Sequence, residues 1–226
     1  VIGRDVSYHG ATLGALSAGL HDRRRKGLEQ ALLSMPKTSH YDAEELEKVI
    51  ELEGPDTISA FIGEPVIGAA AGAYVPPDDY WPRISEICAR HDILVIADEV
   101  MTGFGRLGTP MGHEALQFTP DIIAAGKGLG GGYVPIGGVY CRPDVVAPIA
   151  ETDLALMFYT FAGHDLCCAV AKKVLEIVRA ENLIDRARIM GELLRERLEQ
   201  EFHDHPNVEE VRGRGLLQGL GLVANR

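Results

Sequence analysis

The chain has 226 residues, 46 % hydrophobic and 24 % charged, which is typical of a globular protein and excludes a largely disordered one. Its 33 acidic and 22 basic residues give a net charge of −11, which disfavours nucleic acid as a partner because a phosphate backbone would be repelled. No apolar run approaches the roughly 20 residues needed to cross a bilayer, and the length predicts one large domain or one and a half ordinary ones.

Buried strands and one helix are predicted in the first two thirds of the chain. In chain order, these are a strand at 58–63, an amphipathic helix at 79–91, and strands at 93–97, 121–125 and 136–140. Because the apolar runs are continuous rather than alternating, the strands should be buried on both faces, as in a parallel sheet covered by helices. Ligands of such sheets bind at the carboxyl ends of strands, which makes Glu64, Asp98 and the Gly-rich segment after Ala125 candidate site residues.

The last third has a different pattern. It is helical from Asp165 to about Phe202, with a break predicted near Asn182. The stretch 208–223 then predicts strands around a Gly-rich turn. We therefore expect a second, smaller α+β unit in this part of the chain.

The beginning of the chain and its cysteines bear on the cellular compartment that we expect for it. The chain begins at Val1 with neither an initiator Met nor a signal-peptide pattern, so it is either processed or lacks its beginning. The cysteines form no CxxC pair, and two of them are adjacent, which disfavours a relaxed disulfide. They are Cys88, Cys141, Cys167 and Cys168. Reduced thiols and a cytoplasmic location are the expectation.

Two residues at predicted strand ends are candidates for chemistry. The carboxylate of Asp98 could hold a protonated ring nitrogen or a metal, or it could cap the following turn. Lys127 stands between two glycines, where partial desolvation would favour the neutral amine of Schiff-base enzymes, although an exposed loop lysine is the alternative. The segment Gly126–Gly131 also matches GxGxxG, but it is not followed by a predicted helix, so a dinucleotide site is rejected. The histidines form no evident cluster, and no metal site is predicted.

Several motifs together resemble the signature of class III pyridoxal-phosphate-dependent aminotransferases. They are VIADEVMTGFGR at 95–106, PDI at 120–122 and GKGLGGG at 126–132. Shorter pieces agree in order, namely YHG at 8–10, EPV at 64–66, Thr160 followed by GH at 163–164, and RGRGL at 212–216. The resemblance covers essentially the whole chain and is closest to the ω-amino acid:pyruvate transaminase branch.

The resemblance implies a fold and a reaction. The fold is the α/β fold type I, a mainly parallel sheet covered by helices, followed by the start of a small α+β C-terminal domain. The large cofactor-binding domain would span 1–160 without its N-terminal part, a connecting helix 161–182, and the incomplete small domain 183–226. The reaction would be ping-pong transfer of an amino group from an amine or ω-amino acid to a keto acid such as pyruvate, in a cytoplasmic homodimer with shared active sites.

The resemblance also assigns roles to single residues. Lys127 would form the Schiff base with pyridoxal 5'-phosphate and later move a proton between substrate and cofactor. Asp98 would pair with the pyridinium nitrogen and keep it protonated. The cofactor-binding set would be Tyr8, His9, Asp98, Val100, Lys127 and Thr160, with Tyr8 and Val100 on the two ring faces and Thr160 reaching the phosphate of the neighbouring subunit. Glu64 would lie on the substrate side, although Glu64 and His9 could also be supporting hydrogen-bond partners.

The sequence departs from the family pattern in three places. Met101 replaces a Gln that bonds the ring hydroxyl in many relatives, and Asp165 replaces a Pro at a position where we still expect the helix to begin. The connection 36–42 is shorter than usual. A phosphate-binding turn before Val1 and a carboxylate-binding Arg beyond position 226 are also missing from the sequence. Two alternatives therefore stay open: a decarboxylating dialkylglycine-type relative, indicated by the FYT at 158–160, and a truncated, non-catalytic binding or dimerisation partner.

Overall fold

A computed structural model describes residues 1–152 and 159–224 of the chain. Its strands are β1 (Gly3–Arg4), β2 (Lys37–Thr38), β3 (Ala60–Gly63), β4 (Leu94–Asp98), β5 (Ile122–Ala125), β6 (Gly138–Cys141), β7 (Val208–Arg214) and β8 (Leu217–Leu222). Its helices are α1 (Leu13–Ala18), α2 (Asp22–Arg25), α3 (Ala43–Glu53), α4 (Tyr80–Arg90), α5 (Gly112–Ala115), α6 (Pro143–Ala150), α7 (Asp165–Ala180) and α8 (Leu183–Phe202). Single 3-10 turns lie at Glu29–Ala31, Pro55–Thr57 and Lys127–Gly130.

The central sheet is mainly parallel, as predicted. The strands β3, β4 and β5 pair in parallel, and β6 pairs with β5. A parallel bridge between Ile2 and Phe61 also joins the short β1–β2 pair to the edge of β3. The sheet order is therefore β2-β1-β3-β4-β5-β6, and the first five strands point the same way.

The last strand of this sheet corrects one expectation. We predicted the strand at 136–140 as part of a parallel sheet, but β6 runs antiparallel to β5. The connection between them holds only the 3-10 turn Lys127–Gly130, whereas a parallel return normally needs a crossover helix. Lys127 therefore lies in a short connection between two neighbouring antiparallel strands.

The hydrophobic core lies where α3 and α4 cover the sheet. Both helices place an apolar stripe inward, which includes Leu46 and Ile50 on α3 and Ile84 on α4, all fully buried. Trp81 of α4 is stacked on Phe118 with ring centroids 4.1 Å apart. The helix predicted at 79–91 is thus confirmed with bounds Tyr80–Arg90.

The C-terminal third has the predicted helix–helix–strand–strand order. The break near Asn182 is confirmed: Asn182 has φ +49° and separates α7 from α8. Helix α7 begins at Asp165, so the replacement of Pro does not prevent its start. The antiparallel hairpin β7–β8 packs on α8, and its Arg212 donates from Nε to the carbonyl of Gly72 at 2.9 Å. The domain boundaries at 160 and 182 stay predictions.

Three properties hold for the described part of the chain. None of its helices is both long enough and apolar enough to cross a membrane. Nowhere in 1–152 and 159–224 do three His, Cys, Asp or Glu side chains come together in a way that could hold a metal ion. All four cysteines are free, with Cys141 and Cys168 exposed.

Candidate active site

The carboxyl ends of three adjacent parallel strands bring the predicted residues together. Asp98 is the last residue of β4, Glu64 directly follows β3, and Lys127 lies two residues after β5. They line one cavity of about 240 Å³, which we call the ring cavity; its walls are Tyr8, His9, Gly10, Glu64, Asp98, Val100, Met101 and Lys127. Of the predicted site residues, only Thr160 lies outside this set.

Asp98 is held at the base of the ring cavity by two hydrogen bonds. Its Oδ2 lies 2.8 Å from Nδ1 of His9, and its Oδ1 accepts the backbone N–H of Val100 at 3.1 Å. Both side chains are buried, with exposed fractions of 2 % for His9 and 7 % for Asp98. A buried carboxylate held in this way is fixed in direction and can bind a cationic or proton-bearing group.

His9 retains one buried nitrogen without a protein partner. Within the described residues, no atom hydrogen-bonds to its Nε2. A buried nitrogen of this kind normally has a partner, so a group bound beside it would satisfy it. The prediction for His9 therefore keeps both of its interpretations: it supports Asp98, and it borders the space for a bound group.

Glu64 connects two segments at the rim of the ring cavity. Its Oε2 accepts the backbone N–H of Tyr8 at 3.2 Å and its Oε1 accepts that of Gly68 at 3.1 Å. Burial raises the pKa of the Glu64 carboxyl, although the nearby Arg4 and His9 oppose this. The carboxylate is thus engaged by the backbone, which fits a supporting role as well as the predicted substrate-side role.

The aromatic ring of Tyr8 is contacted by two side chains that do not line the ring cavity. The guanidinium carbon of Arg24, on α2, lies 4.7 Å from the centroid of the Tyr8 ring, and His21 meets the ring edge-on at 5.8 Å. Val100 lines the same cavity. Tyr8 and Val100 therefore provide walls between which a flat ring can bind.

Lys127 occupies an unusual backbone conformation at the end of β5. Its φ is +37°, in a region that residues with a Cβ atom rarely adopt, and it begins a 3-10 turn. Its side chain is exposed and lines both the ring cavity and a second cavity of about 400 Å³. Val100 and Met101 also line both, so the lysine stands between two adjoining spaces.

Thr160 and Met101 are the remaining residues that the sequence singled out. Thr160 lies in an exposed turn before α7, away from the ring cavity, where only the predicted role toward a neighbouring subunit applies. Phe158 of the FYT motif lies outside the described residues. Met101 packs closely on Gly68, since a Cβ atom at Gly68 would lie 2.5 Å from its sulfur. The predicted roles of all these residues stay predictions.

Glu99 has a structural role that its sequence position does not indicate. Its side chain is completely buried and accepts from the backbone N–H groups of Gly112, at 2.8 Å, and His113, at 2.7 Å. It also accepts from the Thr102 hydroxyl, and Nδ1 of His113 lies 3.0 Å away. These contacts close the loop 99–113, which carries Val100 and Met101 beside the cavity.

The donor set suits a flat, nitrogen-containing ring that carries an aldehyde. Asp98 offers a buried carboxylate for a protonated ring nitrogen, Tyr8 and Val100 offer apolar walls, and Lys127 offers an amine. The unpartnered Nε2 of His9 also indicates room for a polar group. Together they can bind such a ring, attach it to the lysine and stabilise positive charge on its nitrogen.

Comparisons with known proteins give one consistent result. The family model described as aminotransferase class-III matches residues 1–226. The chain is 37 % identical over 243 aligned residues to a putrescine–pyruvate aminotransferase of Pseudomonas aeruginosa, covering 100 % of this chain and 53 % of the relative. It is also 37 % identical over 254 residues to γ-aminobutyrate transaminase 3 of Solanum lycopersicum, covering 100 % of this chain and 47 % of that protein.

A solved structure agrees with these relatives. The omega transaminase of Pseudomonas jessenii in complex with PMP superimposes with a TM-score of 0.94 at 39 % identity, covering 100 % of this chain and 54 % of that one. The match confirms the fold predicted from the sequence. The chain spans about half the length of the curated relatives that it matches.

Proposed function

The chain belongs to the class-III aminotransferases, and on that premise we propose that it catalyses transfer of an amino group with pyridoxal 5'-phosphate, the cofactor of this family. The observation that carries the proposal is the single ring cavity to which both Lys127 and Asp98 contribute. A partner-binding remnant would not need a buried carboxylate and an accessible lysine in one cavity. We therefore favour the enzyme over the non-catalytic alternative.

The chain's own residues would hold the cofactor as follows. Tyr8 and Val100 would enclose the ring, Asp98 would accept the hydrogen bond of the protonated ring nitrogen, and Lys127 would supply the amine that attaches the cofactor. When bound, the cofactor supplies a ring that accepts electrons from the substrate carbon next to the transferred nitrogen. His9 would keep Asp98 in place through the 2.8 Å contact.

Lys127 would also act on protons. Once displaced by the substrate amine, its free Nζ would take a proton from the substrate carbon that bears the nitrogen and would deliver it to the carbon on the other side of that nitrogen. Its place between the two cavities gives Nζ access to both. Glu64, engaged by the N–H groups of Tyr8 and Gly68, would keep Tyr8 positioned during this transfer.

The substrates that we propose are an amine or ω-amino acid as donor and a keto acid such as pyruvate as acceptor, in a ping-pong cycle. Two observations on relatives support this class. One relative is named a putrescine–pyruvate aminotransferase, and a structural neighbour is an omega transaminase in complex with PMP. None of the relatives and structures named here carries a decarboxylase name, so the dialkylglycine alternative has no support from them.

We propose a homodimer as the assembly, supported by an apolar surface over the described residues 133–152 and 159–166. Helix α6 has the apolar sequence PDVVAPIA but buries none of its residues, and β6 is exposed at Val139, Tyr140 and Cys141. Phe161, next to the predicted phosphate contact Thr160, is 76 % exposed. Apolar surface of this extent is typical of an interface, and a partner there would bring Thr160 close to another subunit's site.

A cytoplasmic location is part of the same proposal. Free thiols at the exposed Cys141 and Cys168 are typical of a reducing compartment. Fractionation of the native host, with detection of the chain in the soluble reduced fraction, would test this.

The experiment for the function compares the wild-type protein with Lys127→Ala. Wild-type protein mixed with pyridoxal phosphate should gain a visible absorption band, and borohydride reduction should attach the cofactor to the tryptic peptide that contains Lys127. With putrescine and pyruvate it should form alanine. The variant should lose the band, the labelled peptide and at least a thousandfold of the activity, because Lys127 is the only lysine among the described residues that line the ring cavity.

Lys26→Ala is the matched control, because Lys26 is an exposed lysine outside the cavity. It should keep band, label and activity. An unchanged band in Lys127→Ala would refute the assignment. Release of CO₂ from a 2,2-dialkylglycine, without alanine formation from putrescine, would favour the decarboxylating alternative instead.

A further inference from the structure

A completely buried arginine lies beside Glu64, at the rim of the ring cavity. Arg4, the last residue of β1, has no exposed surface, and Nη2 of its guanidinium donates to the backbone carbonyl of Glu64 at 2.7 Å. The guanidinium carbon also lies 5.4 Å from the ring centroid of Tyr41 and 5.7 Å from that of Trp81. The described part of the chain therefore encloses this cation entirely.

The positive charge of Arg4 is not balanced by a direct ion pair. Among the described residues it forms none, and its Nε and Nη1 make no hydrogen bond there. Removing a cation from water costs free energy that aromatic faces and one carbonyl offset only in part. Because an apolar side chain of similar volume would fill this space at lower cost, the charge itself is the feature that needs an explanation.

The charge of Arg4 acts on the carboxyl group of Glu64. Burial raises the pKa of this carboxyl, and the positive charge of Arg4 is the largest of the effects that oppose it. His9 acts in the same direction as Arg4, whereas Asp98 acts against it. The titratable groups around this pair, in the cavity and beside Arg4, are Tyr8, His9, Asp98, Lys127, Tyr41 and Tyr80.

In its ionised form, Glu64 can hold two backbone segments at once. Its two carboxylate oxygens accept the N–H groups of Tyr8, at 3.2 Å, and Gly68, at 3.1 Å. Protonation would place an O–H donor on one of these oxygens, opposite an N–H donor, and so weaken one of the two hydrogen bonds. Neutral Glu64 would therefore release either Tyr8, a wall of the ring cavity, or the loop at Gly68.

Arg4 is also joined to the same wall through its backbone. Its carbonyl accepts the hydroxyl of Ser7 at 2.8 Å, immediately before Tyr8 in the chain. Together with the bonds of Arg4 and Tyr8 to Glu64, this contact closes a circuit of hydrogen bonds. Gly63 leaves the space for the guanidinium, because a Cβ atom there would lie 3.2 Å from Cζ of Arg4. The segments that follow β1 and β3 are thus tied together through one arginine.

We propose that Arg4 is a positioning residue of the ring cavity, whose buried positive charge keeps Glu64 as a carboxylate so that Glu64 holds Tyr8 in place. The inference rests on the proposed function, since Tyr8 is the wall against which the flat ring of the cofactor would bind. Arg4 does not line the ring cavity itself. Its effect on the reaction is therefore exerted through Glu64 and should vanish when residue 64 cannot ionise.

The backbone amide of Tyr8 offers a direct readout that needs neither cofactor nor turnover. Labelling with ¹⁵N-tyrosine gives seven amide signals, and the signal of Tyr8 is the one that Tyr8→Phe lacks. In the wild-type protein it should shift as Glu64 is protonated, and Glu64→Gln should abolish that shift. Arg4→Met, of similar volume but uncharged, should raise the midpoint by about one pH unit or more, whereas Arg4→Lys should keep it near the wild-type value.

Two further variants separate charge from packing. Ile84→Val removes a methyl group from the same core without changing its charge, since Ile84 is fully buried, and it should leave the midpoint unchanged. Arg4→Gln is a second uncharged variant and should shift the midpoint in the same direction as Arg4→Met, so the test does not depend on the folding of one protein. An unchanged midpoint in both uncharged variants, or an equally large shift in Arg4→Lys, would overturn the role of the charge.

The pH profile of transamination connects Arg4 to the reaction. With putrescine and pyruvate, the acid limb of kcat/KM should move to higher pH in Arg4→Met, so that the loss relative to the wild type is larger at low pH than at high pH. A shifted Tyr8 signal with an unshifted acid limb would overturn the role of Arg4 in the reaction. Absence of transamination by the wild-type protein at every pH, together with a shifted Tyr8 signal in Arg4→Met, would refute the proposed function but keep the effect of Arg4 on Glu64.

Discussion

Two regions of the molecule differ in how completely the chain itself buries and hydrogen-bonds their side chains. The first, which we call the enclosed region, is the sheet β1–β5 with its covering helices. Around strands β1 to β5, helices α3 and α4 cover the sheet, and the buried carboxylates Asp98 and Glu99 each accept hydrogen bonds from backbone N–H groups. In the second region, which we call the open region and which consists of the described residues 133–152 and 159–166, the reverse holds: large apolar side chains are exposed, and α6 buries none of its residues. The exposed large hydrophobic residues of this stretch are Tyr133, Val139, Tyr140, Val146, Ile149, Tyr159, Phe161 and Leu166.

The difference separates what this chain positions by itself from what the proposed homodimer would add. The enclosed region has the lysine, the carboxylate and the two cavities in place without any other chain. The open region has an apolar surface whose burial would contribute favourable free energy only in an assembly. We therefore expect substitutions in the first region to change folding stability and substitutions in the second region to change association.

The largest expected effect on stability is at Glu99. Glu99→Ala should lower the free energy of unfolding by roughly 3 kcal/mol, because buried N–H groups of Gly112 and His113 lose their acceptor. Glu99→Gln should cost less, since its amide oxygen still accepts at one side. Urea unfolding followed by circular dichroism measures both.

The matched control for Glu99 is Glu51→Ala, because Glu51 is exposed on α3. It should change the free energy of unfolding by less than about 0.5 kcal/mol. If Glu99→Ala were as stable as Glu51→Ala, the loop 99–113 would not depend on the buried carboxylate, and the enclosed region would be less cooperative than we infer.

In the open region the expected effect is on association. Phe161→Ser should raise the dimer dissociation constant about 10- to 100-fold, corresponding to the roughly 1.5–3 kcal/mol of one buried aromatic side chain. Its effect on the unfolding of the monomer should stay below about 0.5 kcal/mol, because Phe161 is 76 % exposed. Sedimentation velocity over a range of protein concentrations measures the dissociation constant.

Leu52 on α3 offers the control for the open region, since it is 83 % exposed but lies on the helix layer that covers the sheet. Leu52→Ser should leave the dissociation constant unchanged. Equal weakening by both substitutions, or a monomer at every concentration for the wild-type protein, would contradict the homodimer.

The sequence predicted the strands and strand ends of the enclosed region well, but it did not predict the short strands or the direction of β6. Continuous apolar runs that end at Glu64, Asp98 and before Lys127 were sufficient to predict that these residues lie together, because parallel strands bring their carboxyl ends to one edge of the sheet. The two-residue strands β1 and β2 have no periodicity to detect, and the direction of β6 depends on the tertiary return after β5.

The role of Glu99 could be found only from the structure. The backbone donors that Glu99 binds lie 13 and 14 residues away, across a loop without a regular pattern. Local sequence patterns therefore identify residues at strand ends, whereas only the structure shows which of these side chains accept hydrogen bonds from a distant loop.

The smallest effect is expected at Lys37, a half-buried cation with no carboxylate partner among the described residues, because solvent screens the charge of a half-exposed group. Lys37 on β2 donates from Nζ to the carbonyls of Ser17 and Met35, at 2.9 and 2.7 Å, whereas Arg142 in the open region forms ion pairs with Asp121 and Asp144. Burial, with a contribution from Arg25, lowers the pKa of Lys37 from 10.5 to about 8. The folded state thus binds fewer protons than the unfolded chain between about pH 8 and 10.5, so this group makes stability rise with pH across that window.

Urea unfolding at pH 7.5, 9 and 10 should therefore show a gain for the wild-type protein relative to Lys37→Gln, which cannot titrate. Well below pH 8 the difference between the two proteins should be constant, because Lys37 is then protonated in both the folded and the unfolded state. Lys48→Gln on α3 is the control and should parallel the wild type. A constant difference across the whole range would mean that the three surrounding carbonyls, including that of Pro36, stabilise the ammonium as well as water does.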